Sequence, residues 1–176
     1  MHGPSATSAA IRRLAPADAA RYHALRNQGL AEFPDAFTTS HSEGLATPLD
    51  KLAQRIAGHG DDFVLGAFAA DDALAGFAGF RRGDRAKTRH NGKIVGMYVA
   101  AAYRGTGLGK ALLERLIDEV RAIDGMEILS LTVTHSNRAA REMYVSAGFV
   151  PFGIERRALK VGADYFDKEH MALALR

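Results

Sequence analysis

Apolar positions change period several times along the chain, and each change marks an element. Tyr22, Leu25 and Leu30 recur at helical spacing behind Pro16, Ala17 and Asp18, which predicts a first helix from about Asp18 to Leu30. The short alternating stretch "IRRL" (11–14) precedes it. Leu49, Leu52, Ala53 and Ile56 line one face of a second helix, opened by Thr47-Pro48 and ended by the segment from Gly58 to Asp62. Between the two, "EFPDAFTTS" has no period and reads as a turn-rich loop that packs its phenylalanines over something.

The period then drops to that of strands. "FVLGAFAA" (63–70) and "ALAGFAGFRR" (73–82) read as a hairpin joined by Asp71-Asp72, and "KIVGMYVAA" (93–101) as a third strand. Leu108, Leu112, Leu113, Leu116, Ile117 and Val120 restore the helical period, with Gly125 placed to end that helix. "MEILSLTVT" (126–134) is a buried strand by its apolar and β-branched content, and "NRAAREMYVSAG" (137–148) a short helix closed by Gly148. "FVPFG" and "HMALAL" frame the last strands, with "RALKVGADYFDKE" between them. Strands alternate with helices in the second half, so the class is α/β or α+β with a mixed sheet.

Composition narrows the chemistry. With no cysteine, disulfides, thiolate catalysis and thiolate metal sites are excluded, and no metal is expected. The 176 residues suit one domain, read here as residues 11–176 behind a disordered lead-in over residues 1–10. No apolar run approaches the roughly 20 residues of a membrane span, and "MHGPSATSAA" lacks the basic and apolar parts of a secretory signal. The expectation is a cytoplasmic protein with neither membrane nor nucleic acid as partner. The formal net charge is only +3, and the one basic cluster, "RRGDRAKTRH" (81–90), reads either as an attractor for a phosphate-bearing ligand or as a solvated hairpin loop.

The candidate chemistry lies in "YRGTGLGKALLERL" (103–116), where Gly105, Gly107 and Gly109 alternate between a strand and a helix. A nucleotide P-loop is excluded because Arg104 holds the place of its first glycine and Ala111 that of its magnesium-binding hydroxyl. A dinucleotide fingerprint fails at Lys110, which stands where the third glycine belongs. What remains is a turn that leaves backbone N–H groups open at the positive end of a helix, with Arg104 as a further donor. Such a turn suits an anion.

These residues resemble the signature of the Gcn5-related N-acetyltransferase (GNAT) superfamily, Arg/Gln-x-x-Gly-x-Gly/Ala, matched by Arg104, Gly107 and Gly109 after the strand "GMYV". "NRAAREMYVSAGF" is similar to a second family segment, Asn-x-x-Ala-x-x-x-Tyr-x-x-x-Gly-Phe. The resemblance implies an α+β fold of three layers: a mixed, mostly antiparallel sheet of about six to seven strands, flanked by about four helices and splayed between the fourth and fifth strands. It implies acetyl-CoA as co-substrate and a primary amine as acceptor, joined by direct attack in a ternary complex. The acceptor's class, small molecule or protein, is left open, as is homodimerisation. By the same resemblance, Met97, Tyr98, Val99, Arg104, Gly105, Thr106, Gly107, Leu108, Gly109, Lys110 and Asn137 would bind acetyl-CoA. A bulge is expected within Met97 to Val99.

Asn137 and Tyr144 lie seven positions apart, close to two helical turns, and so share a face. Asn137 reads either as a ligand contact or as the cap of its helix, and Tyr144 either as the acid that protonates the leaving thiolate or as a core tyrosine. A phenol suits the acid role because it is protonated at neutral pH. For a general base, Glu32, His90, His135 and water are all candidates. The first two helices, the "EFPDAF" loop and "RALKVGADYFDKE" are the expected acceptor-binding segments. A non-catalytic acyl-CoA-binding regulatory domain is the alternative function.

Overall fold

The segment "FVLGAF" reads as an unbroken apolar run because both of its faces are covered. The structure is a computed structural model that describes residues 10–176. Its strands are β1 (Ala10–Arg13), β2 (Phe63–Phe68), β3 (Leu74–Arg82), β4 (Asn91–Val99), β5 (Ile128–Thr134), β6 (Val150–Val161) and β7 (Asp164–Ala174). Its helices are α1 (Ala19–Glu32), α2 (His41–Leu45), α3 (Leu49–Ala57), α4 (Leu108–Arg121) and α5 (Arg138–Ser146), with short 3₁₀ turns at Pro16–Asp18 and Ala101–Tyr103. The strands form one sheet in the order β1-β2-β3-β4-β5-β7-β6, in which only β4 and β5 are parallel.

Side chains along β2 alternate between two cores, as the strand period requires. Leu65 and Ala67 join Leu112, Leu113 and Leu116 of α4 on one face. Val64 and Phe68 join Leu25 of α1 and Leu52 and Ile56 of α3 on the other. The apolar stripes of α3 and α4 are therefore the outer walls of two separate cores with the sheet between them, and the expected three-layer α+β class holds.

Several local expectations need correction. The described residues hold five α-helices rather than about four. The extra one, α2, begins with a capping box: Glu43 N–H donates to Ser40 Oγ, and the Glu43 carboxylate accepts from Ser40 N–H. The β2–β3 connection is not the two-residue turn Asp71-Asp72. Asp72 N–H donates to Ala69 O, Ala69 N–H donates to Ala73 O, and Asp72 takes a left-handed φ of 62°, which makes a three-residue loop. "RALKVGADYFDKE" is not a connecting segment but most of a long hairpin, turning at Gly162 (φ 60°) between β6 and β7. Residues 1–9 of the expected lead-in lie outside the described residues, and Ala10 already opens β1.

Candidate active site

The parallel pair β4–β5 is joined only from Asn91–Lys93 to Ile128–Ser130. Beyond that point the two strands diverge, which is the expected splay between the fourth and fifth strands. A bulge on β4 helps to open it: Ala78 faces Met97 and Phe80 faces Ile94, so Gly79 alone spans Val95 and Gly96. Gly96 carries a φ of +84°, and a Cβ on Gly79 would lie 2.7 Å from the Val95 carbonyl oxygen. The bulge thus sits just before the expected Met97–Val99, at residues whose glycine content was the available signal.

Two cavities meet in this gap. One, of about 760 Å³, lies beneath α1, α3 and the loop at 33–40, between β4 and the far half of β5. The other, of about 730 Å³, lies between the glycine turn and α5 and is lined by Met97, Tyr98 and Val99. Phe37, Met97, Thr134, Asn137 and Tyr144 border both.

The glycine turn forms one rim of the second cavity. Gly105 (φ +73°) and Gly107 (φ +85°) are left-handed, and Gly107 is the N-cap of α4 without any side-chain cap. A Cβ at either position would meet no protein atom within 4 Å, so packing does not demand these glycines. The N–H groups of Leu108, Gly109 and Lys110 lie in the first turn, where no helical acceptor exists. At Gly109 a Cβ would stand 3.4 Å from Met143 Sδ, an ordinary contact, so packing leaves room for a small side chain there too. Leu108 is anchored in the core, Thr106 Oγ1 donates to Tyr103 O at 2.6 Å, and the exposed Lys110 lies 3.7 Å from Glu114.

Tyr144 is buried on α5, edge-on to Phe149 with ring centroids 5.9 Å apart. Its hydroxyl has one protein partner among the described residues, Met97 Sδ at 3.7 Å, and burial pushes its pKa up to about 12. Asn137 caps α5, its Oδ1 accepting from Ala140 N–H at 3.2 Å, which leaves its amide N–H groups for the cavities it borders. Arg104 has a different arrangement from a free anion donor. Its Nη1 and Nη2 donate to the two oxygens of Glu32 at 2.5 and 2.8 Å, and its Nε donates to Val99 O at 3.0 Å. Phe33 and Tyr98 lie against the same guanidinium, and Tyr98 Oη also donates to Glu32 at 2.6 Å.

A family profile described as "Acetyltransferase (GNAT) family" matches residues 24–149. The chain belongs to the GNAT family. It is 36% identical over 95 residues to N-alpha-acetyltransferase RimI of Mycobacterium tuberculosis, covering 53% of this chain and 56% of that one. It is also 36% identical over 112 residues to aminoglycoside N(6')-acetyltransferase type 1 of Stenotrophomonas maltophilia, covering 61% and 65% respectively. The chain thus spans between half and two thirds of the length of these relatives. A GNAT-family acetyltransferase structure from Streptococcus pneumoniae superimposes with a TM-score of 0.85 at 27% identity, covering 94% of this chain and 98% of that one.

The arginine of the GNAT signature therefore lines the second cavity with its guanidinium already paired to Glu32. Bidentate pairing with Glu32 ties the glycine turn to the end of α1, and the Val99 contact ties it to β4. Hydrogen bonds from Arg104 and then Tyr98 hold the Glu32 carboxyl at about 2, below its usual 4.5. A carboxylate this reluctant to accept a proton is a poor base near neutral pH, which removes Glu32 from the candidates. His90 sits in the β3–β4 connection, where its carbonyl accepts from Glu127 and Ile128 N–H, and His135 is exposed with its N–H bonded to Asp167 O. Neither borders the two cavities.

A folded-state pKa below the unfolded one means that the Glu32 pairing stabilises the fold above pH 4.5 and fades as the pH falls toward about 2. Glu32→Gln is expected to lower the urea midpoint at pH 7. The wild-type lead should narrow steadily below pH 4.5, and a lead that stayed constant down to pH 3 would show that the ion pair is not its source.

Proposed function

We propose that this protein is an acetyl-CoA-dependent N-acetyltransferase that moves an acetyl group to a primary amine by direct attack in a ternary complex. The observation that carries this reading is the meeting of two cavities at Met97 and Tyr144, one rimmed by the glycine turn and the other separate from it. A single-substrate site needs one cavity. Group transfer between two bound molecules needs two that touch.

The glycine turn suits the pyrophosphate of acetyl-CoA, since Gly105 and Gly107 leave open backbone at the N-terminus of α4. Thr106 and Lys110 flank it, and Met97–Val99 would run beside the pantetheine arm. Bound there, acetyl-CoA supplies a thioester whose carbonyl carbon an amine can attack and whose sulfur leaves. Negative charge that builds on the carbonyl oxygen needs a donor, and the outer part of β4 is the nearest backbone. Asn137 holds the start of α5 and turns its amide N–H groups toward the same junction.

Tyr144 presents its O–H at that junction. With a pKa near 12, it stays protonated throughout the working range. Full transfer of its proton to a thiolate whose conjugate acid sits near ~8.5 runs uphill, so the phenol serves chiefly as a hydrogen-bond donor that steadies charge on the sulfur. The proton lost by the attacking amine balances the one the thiol gains. No side-chain base is assigned: Glu32 is held ionised by Arg104, and of the histidines only His59, not His90 or His135, is among the residues described as lining the two cavities.

The two relatives share the same 36% identity with this chain and are named for different acceptors, an α-amine and an aminoglycoside. They do not select one. The reading is tested by thermal unfolding with acetyl-CoA, CoA, ATP, NAD and a DNA oligomer, followed by thiol release over an amine panel. Acetyl-CoA at 100 times its Kd is expected to stabilise by about 2.7 kcal/mol. Stabilisation by ATP or NAD but not by acetyl-CoA would sink the reading; stabilisation without thiol release from any amine would favour a binding-only domain.

A further inference from the structure

The cavity away from the glycine turn has an unusual charge. Arg26, Lys51, Arg55, Arg81, Lys93 and Lys168 line it, against one carboxylate, Asp62, whose Oδ1 accepts from Arg82 N–H. These cations come from α1, α3, β3, β4 and β7, so no local charge run explains them. Among the described residues none of the six enters an ion pair, although eleven arginine or lysine ion pairs form elsewhere.

Two of the six are drawn out of water, Lys168 almost fully and Arg26 in part. Lys168 is 6% exposed, and among the described residues its ammonium donates only to Ala36 O, at 3.0 Å. Asp35 and Glu155 are near enough to act on it electrostatically, yet neither forms an ion pair with it. Arg26 is half-buried and donates to Thr39 Oγ1 at 3.0 Å, with Arg55 as a like-charged neighbour. Desolvation lowers the pKa of both groups, a sign that each charge is held at a cost. Buried cations without a counter-charge are destabilising unless a ligand completes them. The loop at 36–39 supplies the groups that orient both: Ala36 O for Lys168 and Thr39 Oγ1 for Arg26.

We propose that this cavity selects a primary amine that also carries an anionic group, a carboxylate, phosphonate or phosphate, which Arg26 and Lys168 hold while Arg55, Arg81 and Lys93 draw it in. The inference rests on the acetyltransferase reading above. A polycationic acceptor would be repelled by the same wall. The cationic field has a second effect: it disfavours the acceptor's ammonium form and so favours the neutral amine that attacks.

The test pairs each anionic amine with a neutral partner of like size: alanine with alaninamide, β-alanine with β-alaninamide, and 2-aminoethylphosphonate with ethanolamine. Spermidine serves as the polycation. In at least one pair, kcat/KM for the anionic member is expected to exceed that of its partner by tenfold or more, with spermidine the poorest substrate. Arg26→Gln and Lys168→Gln should each shrink that preference at least tenfold while the KM for acetyl-CoA stays within twofold. Lys168→Gln keeps a donor for Ala36 O and removes a buried charge, so it should melt at or above the wild-type temperature. Arg55→Gln, on the exposed side of α3, repeats the test without touching a buried group and should shrink the preference about threefold. Failure of every anionic amine to exceed its neutral partner, or preferences unmoved in all three variants, overturns the proposal. If the protein still binds acetyl-CoA in the thermal test, only this proposal falls; if it does not, the acetyltransferase reading falls with it.

Discussion

Tyr144→Phe is expected to reduce kcat by about a hundredfold while the Kd for acetyl-CoA changes less than twofold. The separation follows from where the hydroxyl sits. The ring is packed against Phe149 in the core, and phenylalanine preserves that contact. Among the described residues the hydroxyl bonds only to the thioether of Met97, at 3.7 Å, so its removal should cost the fold less than about 1 kcal/mol. A buried phenol that the fold does not use is the group expected of a donor reserved for the reaction. Its raised pKa adds a constraint on pH: with the O–H intact up to about 12, no loss of activity on the alkaline side below that range belongs to Tyr144. Single-turnover measurement of the chemical step is the right readout, because slow product release can mask a slower transfer. A single-turnover rate within threefold of the wild type would remove Tyr144 from the chemistry.

What the sequence made legible was whatever is written in consecutive residues. The period of "LLERLIDEV" placed α4, the apolar run of β2 placed a central strand, and the alternate glycines placed the turn between β4 and α4. Ser40-x-x-Glu43 was equally readable as a capping box and would have found α2. Contacts between distant residues were not readable. Arg104 and Glu32 lie 72 positions apart, and neither residue type announces that they pair, so Glu32 looked like a candidate base and its hold on Arg104 was invisible. The bulge was displaced from its expected position for a related reason: where a strand gains its extra residue depends on its partner, and Gly79 alone faces Val95 and Gly96. The cationic cavity is the strongest case. A chain of net charge +3 with scattered basic residues gives no hint that six of them converge from five elements.

Gly107→Asn should separate what the backbone of the glycine turn needs from what the ligand needs. Asparagine is among the side chains that best tolerate the left-handed region, and at Gly107 (φ +85°) an added Cβ meets nothing within 4 Å. At the uncapped start of α4 its side chain would stand beside the open N–H groups of the first turn. The fold should lose about 1 kcal/mol or less. Acetyl-CoA should lose, since those N–H groups and the space above them are what its pyrophosphate would use. A rise in Kd of at least tenfold is expected, equivalent to about 1.4 kcal/mol, with little change in the melting temperature of the free protein. Gly162→Asn is the matched control, because Gly162 is also left-handed (φ +60°) and open to solvent but lies in the β6–β7 turn. It carries a similar backbone cost and should leave acetyl-CoA affinity unchanged. Calorimetric titration that gave equal Kd values for the two variants would mean that the glycines serve the turn alone; a loss confined to Gly107→Asn would tie the absent side chain to the anion.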